Sequence, residues 1–533
     1  MRGQCQGRVG DDRAWCGCKP CPCDAAIGDA TILALKALLL AAIVFVPMDD
    51  RSVTLRLPIM LGEIAGRPVV APPRTLLGNE LEPGDADGII TWLNAVAPPA
   101  TSYVLSSDML AYGGLVPSRV PGPSYADAYT RLTEIDVLRK RDPQAWIGVF
   151  GTIMRLAPTG VPANWPYFAA YPTWSYLQQY ANLHDPLEPS EEAEAARLRA
   201  LIGEPVLDAY LQTRARNYGV DRSLIDRTRA GWIDRLVLGQ DDAKPFGLHI
   251  PEVDALQAYL AASNLGPRAS IEPGADELGM AMVAHALARD ARWTPRVAVH
   301  YSTPSGAAYQ DPLEFTPIGV TIDQLIALCG AVRDDAAPDI ELYVHVPATG
   351  PALDDAFMGA IRGDLDAGRS VSVADLSFEG SYGEQKAFAD ALLSAGLASR
   401  LDAYSSWNTD ANTAGTALAE AIAAGAGRRL RSYDALAHRT FTFLRFVDDV
   451  DFHDDVRPAL NDWLAARGVT DHSILAPAVA AATAERNRAL LWYEAQTTLT
   501  QLYPRLHIAA MSITMPWNRT FDTDIDVRLA PNP

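Results

Sequence analysis

From residue 43 to about residue 420, short apolar runs rich in β-branched residues alternate with alanine- and leucine-rich stretches of helical length. The apolar runs are continuous rather than interrupted at every second position, which is typical of strands buried on both faces of a parallel sheet. The intervening stretches are long enough to form the crossover that joins two parallel strands. The alternation therefore predicts an α/β fold with mainly parallel sheets covered by helices.

Ten strands and ten longer helices are predicted within this region. The strands are expected at 43–46, 68–71, 102–105, 145–150, 235–238, 269–271, 296–300, 341–346, 370–374 and 401–404. The helices are expected at 125–140, 191–202, 205–218, 221–231, 252–263, 277–289, 322–332, 356–367, 385–394 and 414–424. Because one barrel needs only about eight strands, two open α/β units with a boundary near residue 290 are favoured. A (β/α) barrel with insertions is the alternative.

Composition predicts four segments along the 533 residues, although the sequence shows no internal repeat. Residues 1–42 form a leader or signal-like segment, residues 43–290 a first α/β unit, and residues 291–425 a second one. Residues 125–232, rich in charged and aromatic side chains, are interpreted as a helical insertion in the first unit. Residues 426–533 combine a helical region with a β-like tail.

Five of the six cysteines lie within the first 23 residues, and only Cys329 belongs to the body of the chain. The C-x-C-x-x-C-x-C spacing of four of them suits a zinc or iron–sulfur site. The flanking sequence has no apolar periodicity with which to fold, so an unstructured leader, or translated sequence upstream of the true start, is favoured. The apolar run 31–45 is too short to span a bilayer and has the length of a secretory signal core. A periplasmic or secreted protein and a cytoplasmic protein with a misassigned start both remain open.

The net charge of −20 disfavours nucleic acid as a partner, because a nucleic-acid surface needs a basic face to replace counterions. No stable membrane span is expected. Sequence signatures for a serine nucleophile elbow, a zinc-protease helix and a phosphate-binding loop are all missing. The expected partner is therefore a small molecule or an oligosaccharide, with no cofactor predicted.

Polar side chains follow most of the predicted strands. Because parallel strands place their carboxyl ends at one edge of a sheet, these side chains are expected to converge on a single rim. Helix capping explains at most one acid in each of the doublets Asp49-Asp50, Asp241-Asp242 and Asp276-Glu277. The candidate catalytic carboxylates are Asp49, Asp50, Asp108, Asp241 and Asp242. The candidate substrate-binding residues are Arg51, Tyr112, Arg119, Arg155, Gln240, Asp276, Glu277, Trp407, Asn408 and Asn412.

Two motifs carry a resemblance to a known family. The stretch from Val46 to Arg51 and the stretch from Ser107 to Arg119 resemble the P-L-D-D-R-P and S-x-D-M-L-x-Y-G-G-L-x-x-S-R motifs of DUF4127. This bacterial family has no established reaction, and the resemblance extends essentially over residues 43–529. Met48 and Ser52 depart from the first motif, both away from its acids. The resemblance implies where a site lies, and the paired glycines of the second motif are interpreted as a turn that approaches the ligand.

Glycoside hydrolysis is the favoured reaction, because it uses one carboxylic acid to protonate the leaving oxygen and a second carboxylate as nucleophile or base. Asp241 or Asp242 is expected to take one role, and Asp49, Asp50 or Asp108 the other. The arginines at positions 51, 119 and 155 are expected to adjust carboxylate pKa values or to bind an anionic substituent. Trp407 and Tyr112 would offer ring faces to a sugar.

Two alternatives stay open. Clustered carboxylates also bind Mg²⁺, Mn²⁺ or Ca²⁺, which would support metal-assisted hydrolysis of a phosphate or another anionic substrate. A non-catalytic carbohydrate-binding protein is the second alternative, although recognition alone seldom needs so many acids.

Overall fold

The computed structural model describes residues 42–95, 100–157, 170–178, 186–243, 246–312, 314–347, 351–377 and 384–533. The N-terminal cysteine cluster and most of the signal-like run lie outside the described residues. Cys329, in the body of the chain, is buried and unpaired with another cysteine.

The first sheet consists of six parallel strands. They are β1 (Ile43–Val46), β2 (Val69–Val70), β3 (Ser102–Ser106), β4 (Trp146–Ile153), β5 (Arg235–Gln240) and β6 (Ala269–Pro273). Their order in the sheet is β2-β1-β3-β4-β5-β6. Every residue of β1, β3, β4 and β5 is buried, as expected for strands covered on both faces.

The second sheet consists of five parallel strands. They are β7 (Arg296–Tyr301), β8 (Val332–Arg333), β9 (Ile340–His345), β10 (Val371–Asp375) and β11 (Ala403–Ser405). Their order is β11-β10-β9-β7-β8, so each sheet begins with the same arrangement, in which the first strand lies between the second and the third. No closed barrel is found among the described residues, and the predicted α/β fold with parallel sheets is confirmed.

The helices connect and cover these strands. In chain order they are α1 (Leu57–Ala65), α2 (Ala86–Ala95), α3 (Ser107–Tyr112), α4 (Leu115–Ser118), α5 (Tyr125–Leu132), α6 (Glu134–Arg141), α7 (Ala170–Tyr176), α8 (Pro189–Ile202), α9 (Glu204–Arg229), α10 (His249–Ser263), α11 (Leu278–Asp290), α12 (Ile318–Leu328), α13 (Pro351–Asp366), α14 (Glu384–Ser394), α15 (Asp410–Leu430), α16 (Ala435–Arg445), α17 (Arg457–Ala465) and α18 (Pro477–Leu502). Two π-helical segments, Ser52–Arg56 and Phe446–Val456, precede α1 and α17. In the described part of the chain, no helix combines the length and apolarity that crossing a membrane requires.

Helix α9 is continuous where the sequence predicted two helices separated near Gly219. A Cβ atom at Gly219 would lie 3.1 Å from two carbons of the Tyr125 ring. The glycine therefore allows α5 to approach α9 closely and does not interrupt the helix. The predicted helix 125–140 is divided at Thr133 into α5 and α6, and the predicted helix 322–332 ends at Leu328, before β8.

One hydrophobic core joins the two sheets. Helix α11 packs against β3 and β4 of the first sheet, and α15 packs against β9, β10 and β11 of the second. These two helices also pack against each other, so apolar side chains of both sheets belong to one continuous cluster. The chain ends in an antiparallel hairpin of β12 (Leu506–Thr514) and β13 (Asp524–Pro531), joined by residues 515–523, which we call the hairpin loop.

Candidate active site

A cavity of about 330 Å³ lies at the carboxyl ends of the first sheet. Loops that follow β7 and β11 of the second sheet, together with the hairpin loop, complete its walls. The lining residues are Arg51, Glu80, Leu115, Val116, Arg119, Arg155, Gln240, Asp241, Asp242, Gly274, Ala275, Asp276, Glu314, Asn408, Thr409, Asn412, Ser473, Trp517, Arg519 and Phe521. The structure thus brings nine of the fifteen sequence-predicted residues to one cavity.

Arg51 holds two carboxylates together at the base of the cavity. Its Nη2 lies 2.7 Å from Oδ2 of Asp49 and 2.6 Å from Oδ1 of Asp276. Burial alone would raise the pKa of Asp49, but the charge and hydrogen bonds of Arg51, with a hydrogen bond from Thr54, lower it. Burial raises the pKa of Asp276 despite the opposing charge of Arg51. The guanidinium is therefore bound by two acids, one from the loop after β1 and one from the loop after β6.

The carboxylates that follow β5 are paired with two further arginines. Arg119 Nη2 lies 2.5 Å from Asp241 Oδ2, and Arg155 Nη1 lies 2.7 Å from Asp242 Oδ2. Burial is the largest influence on both acids and raises the pKa of Asp241. At Asp242 the charges of Arg155 and Arg119 outweigh burial and lower the pKa. Asp242 is consequently an ionised carboxylate at neutral pH.

Glu314, which follows β7, contrasts with Asp242, because its pKa is raised. Glu314 is only 3% exposed, and its Oε1 accepts a hydrogen bond from the Ala411 backbone N–H at 3.2 Å. Burial raises the pKa of Glu314 to about 8, and the negative charges of Asp311 and Asp242 act in the same direction. The cavity therefore holds a protonated carboxyl group within electrostatic reach of an ionised one.

A chain of side-chain hydrogen bonds supports the wall formed by the second sheet. Asn408 donates from Nδ2 to Oδ1 of Asn412 at 2.6 Å, and Asn412 donates from Nδ2 to Oε2 of Glu277 at 2.5 Å. Glu277 is fully buried behind the cavity, and its pKa is raised by burial and by the neighbouring acids Glu314 and Asp276. Glu277 therefore orients Asn412 without lining the cavity itself.

Three predicted acids lie near the cavity but do not line it. Asp49 is bound to Arg51, and Asp50 accepts a hydrogen bond from Trp517 Nε1 at 2.9 Å. Asp108 is buried and accepts a hydrogen bond from the Thr152 hydroxyl at 3.1 Å. Burial raises the pKa of Asp108 to about 7.

The two predicted aromatic contacts also lie away from the cavity. Trp407 is 5% exposed and donates from Nε1 to the Thr416 hydroxyl at 3.1 Å, within the core. Tyr112 is 4% exposed, and the Arg216 guanidinium lies 4.4 Å from its ring centroid. Neither ring is available to a sugar in the cavity. The nearby Gly113 serves backbone packing, since a Cβ there would lie 2.6 Å from the Gly84 carbonyl oxygen.

No pattern in the sequence pointed to several of the lining residues, including Glu80, Glu314 and Ser473. Trp517 and Arg519 lie within residues 43–529, over which the family resemblance extends, but in neither of the two motifs. Trp517 lies between two guanidinium groups, with Arg51 at 4.9 Å and Arg519 at 4.4 Å from its ring. The hairpin loop is thereby fixed against the strand ends that carry the acids.

One group of side chains in the described part of the chain has the spacing of a metal site. His300 on β7, Glu341 on β9 and Asp364 on α13 place one ligand atom each within 4.8 Å of one another, outside the cavity. Arg369 Nη1 lies 2.9 Å from Glu341 and 3.1 Å from Asp364, so both acids already have a cationic partner. In the cavity, Asp241 and Asp242 are engaged by arginines in the same way.

Parallel sheets with a polar cavity beyond their carboxyl ends define a class of α/β protein in which ligands bind at this edge. The chain belongs to the family described as "Protein of unknown function (DUF4127)", whose model matches residues 43–526. The family predicted from the two motifs is thus confirmed. No curated protein and no solved structure matches the chain.

Proposed function

We propose that this protein hydrolyses glycosidic bonds, with Glu314 as general acid and Asp242 as the ionised carboxylate. The observation that carries this proposal is that both residues line one cavity while their pKa values are shifted in opposite directions. Two carboxyl groups held in different protonation states are what glycoside hydrolysis requires.

Glu314 and Asp242 have different roles in this reaction. Glu314 gives its proton to the glycosidic oxygen as the bond from that oxygen to the anomeric carbon breaks. Asp242 either attacks the anomeric carbon, to form an ester that water then hydrolyses, or removes a proton from the attacking water. By either route one water molecule is consumed, and a sugar and an alcohol are released.

Polar groups that face the cavity support a sugar as the ligand. Gln240 is 1% exposed, and its Oε1 has no hydrogen-bond partner among the described residues, while its Nε2 donates to the Asp241 carbonyl at 2.9 Å. Gln240 nevertheless lines the cavity, so its amide is one of the polar groups next to a bound ligand. The amide of Asn408 supplies a second group suited to hydroxyl recognition.

The metal-assisted alternative receives less support. Asp241 and Asp242 each have an arginine within 2.7 Å, and a divalent cation would have to displace or repel that guanidinium. The binding-only alternative gives no role to a protonated carboxyl group, because recognition of hydroxyls does not require Glu314 to store a proton.

The test is hydrolysis of a panel of α- and β-linked nitrophenyl glycosides by the purified full chain. Glu314→Gln is expected to lower kcat by about 10²- to 10⁴-fold, with Glu194→Gln, at a side chain that is 40% exposed and outside the cavity, as the matched control. Full activity is expected in EDTA. Loss of activity in EDTA, with rescue by a divalent ion, would favour the metal-assisted alternative, and no turnover of any glycoside would contradict hydrolysis.

A further inference from the structure

The four arginines that line the cavity are all paired with carboxylates. Arg51 donates from Nε to Asp49 at 3.0 Å and from Nη1 to Asp276 at 2.9 Å, which leaves it between two acids. Arg119 and Arg155 are paired with Asp241 and Asp242 as described above.

The fourth arginine is in the hairpin loop. Arg519 donates from Nε to Oδ2 of Asp522 at 2.5 Å, and its Nη1 lies 3.9 Å from Oε1 of Glu80. Its planar group also lies 4.4 Å from the centroid of Trp517. Arg519 is thus held on the cavity wall by an acid that does not itself line the cavity.

No surplus of positive charge therefore faces a ligand from the described residues. A carboxylate or phosphate that entered the cavity would lose hydration without gaining an unpaired cation, and it would meet the negative charges of Asp241 and Asp242. An uncharged ligand avoids this cost.

We infer that the cavity selects an uncharged sugar, so that the substrates are neutral glycosides and not glycosides of sugar acids. This inference rests on the proposed glycoside hydrolysis. It assigns the cavity arginines to fixing the protonation states and positions of the acids, in place of binding an anionic substituent. It also assigns Asp522 a role in specificity, because Asp522 neutralises Arg519.

The test compares a nitrophenyl hexoside with the corresponding uronide. The two differ only in that the hexoside carries a hydroxymethyl group where the uronide carries a carboxylate. For the wild-type chain, kcat/KM for the uronide is expected to be about 100-fold lower. Asp522→Asn keeps the shape of the side chain but removes the nearer acid of Arg519, which leaves only Glu80 at 3.9 Å as an acidic partner. We expect this variant to lower the ratio of kcat/KM for the hexoside to kcat/KM for the uronide about tenfold, mainly by raising activity on the uronide.

Asp526→Asn is the matched control, because Asp526 lies on the same hairpin, is 66% exposed at its side chain and pairs with Arg56 outside the cavity. It is expected to leave the ratio unchanged. Thermal unfolding of both variants tests for damage to the fold, and calorimetric binding of methyl hexoside and methyl uronide to Glu314→Gln tests selectivity without turnover.

Equal or faster hydrolysis of the uronide, or tighter binding of the methyl uronide, would overturn the inference and leave glycoside hydrolysis intact. An unchanged ratio in Asp522→Asn would overturn the role of Asp522. Selective binding of the neutral sugar without turnover of any glycoside would support the inference on selectivity and contradict the proposed reaction.

Discussion

Asn412 donates its side-chain amide to the buried carboxyl of Glu277 at 2.5 Å, although the two residues are 135 positions apart. Glu277 immediately precedes α11, which covers the first sheet, and Asn412 lies in the first turn of α15, which covers the second. This hydrogen bond therefore joins the two sheets directly beside the cavity. Both residues are buried, with Asn412 2% exposed and Glu277 fully covered.

Asn412→Leu is expected to destabilise the protein by about 1–3 kcal/mol, because it removes the shorter of two hydrogen bonds to a fully buried carboxyl group and leaves only that from the Ala275 backbone N–H. Urea unfolding followed by circular dichroism measures the change. Asn532→Leu is the control, since Asn532 is exposed and its amide donates only to the Pro504 carbonyl at 3.0 Å. Equal stability of the two variants would contradict a structural role for the Asn412–Glu277 contact.

The pH dependence of the proposed hydrolysis is expected to follow Glu314. The general acid must be protonated, so kcat/KM should fall on the alkaline side with a midpoint near pH 8, where the pKa of Glu314 is raised to about 8. Measurement across the pH range with an activated aryl leaving group allows residual activity of Glu314→Gln to be followed. An alkaline limb that persisted unchanged in this variant would assign the titration to another group.

Arg51→Met is expected to cost about 3–5 kcal/mol, because it leaves the buried carboxylates of Asp49 and Asp276 without their common cation. The exposed Arg197, which pairs with Glu194 on α8, provides the matched substitution and should leave stability essentially unchanged. Denaturant unfolding of both variants at pH 7 gives the comparison. A small loss of stability in Arg51→Met would mean that Asp49 and Asp276 become protonated at little cost in free energy.

Stability is expected to fall as the pH rises from about 4 to about 8. Burial raises the pKa of Asp108, Asp449 and Asp451 to about 7 and that of Glu314 to about 8. Such groups stabilise the folded state fully below their unfolded pKa of about 4, and this contribution is lost as the pH passes through the folded values.

The lowered pKa values of Asp49 and Asp242 do not offset this loss. Their contribution is present above the unfolded pKa and disappears only in acid. Urea midpoints at a series of pH values measure how steeply stability falls with pH. Asp108→Asn should reduce this slope. Asp127→Asn should not reduce it, because hydrogen bonds from Ser124 lower the pKa of this exposed acid.

The strands could be predicted from the sequence because their signal is local. Continuous apolar runs marked every strand of the first sheet, and only the two-residue, exposed β8 of the second sheet was missed. The break predicted in α9 failed because the close approach of Tyr125, a contact distant in sequence, decides the role of Gly219.

The site was predictable only in its position. Strand ends identify the edge where side chains gather, and this located Arg51, Asp241 and Asp242. They do not say which way a side chain points, so Trp407 was expected at the rim and lies in the core. Glu314 was missed because no spacing in its loop distinguishes it, and its properties come from burial against Ala411 and the nearby acids.

The cavity draws its walls from positions as far apart as Arg51 and Phe521. During synthesis the strand ends of the first sheet would leave the ribosome long before the hairpin loop that covers them. Until Trp517 has been synthesised, Asp50 lacks its hydrogen bond from the indole N–H, and Asp49 and Asp50 stay open to water. We therefore expect the proposed hydrolytic activity to appear late, after nearly the entire polypeptide has been translated, and we expect prematurely terminated chains to lack it even where their first sheet has folded.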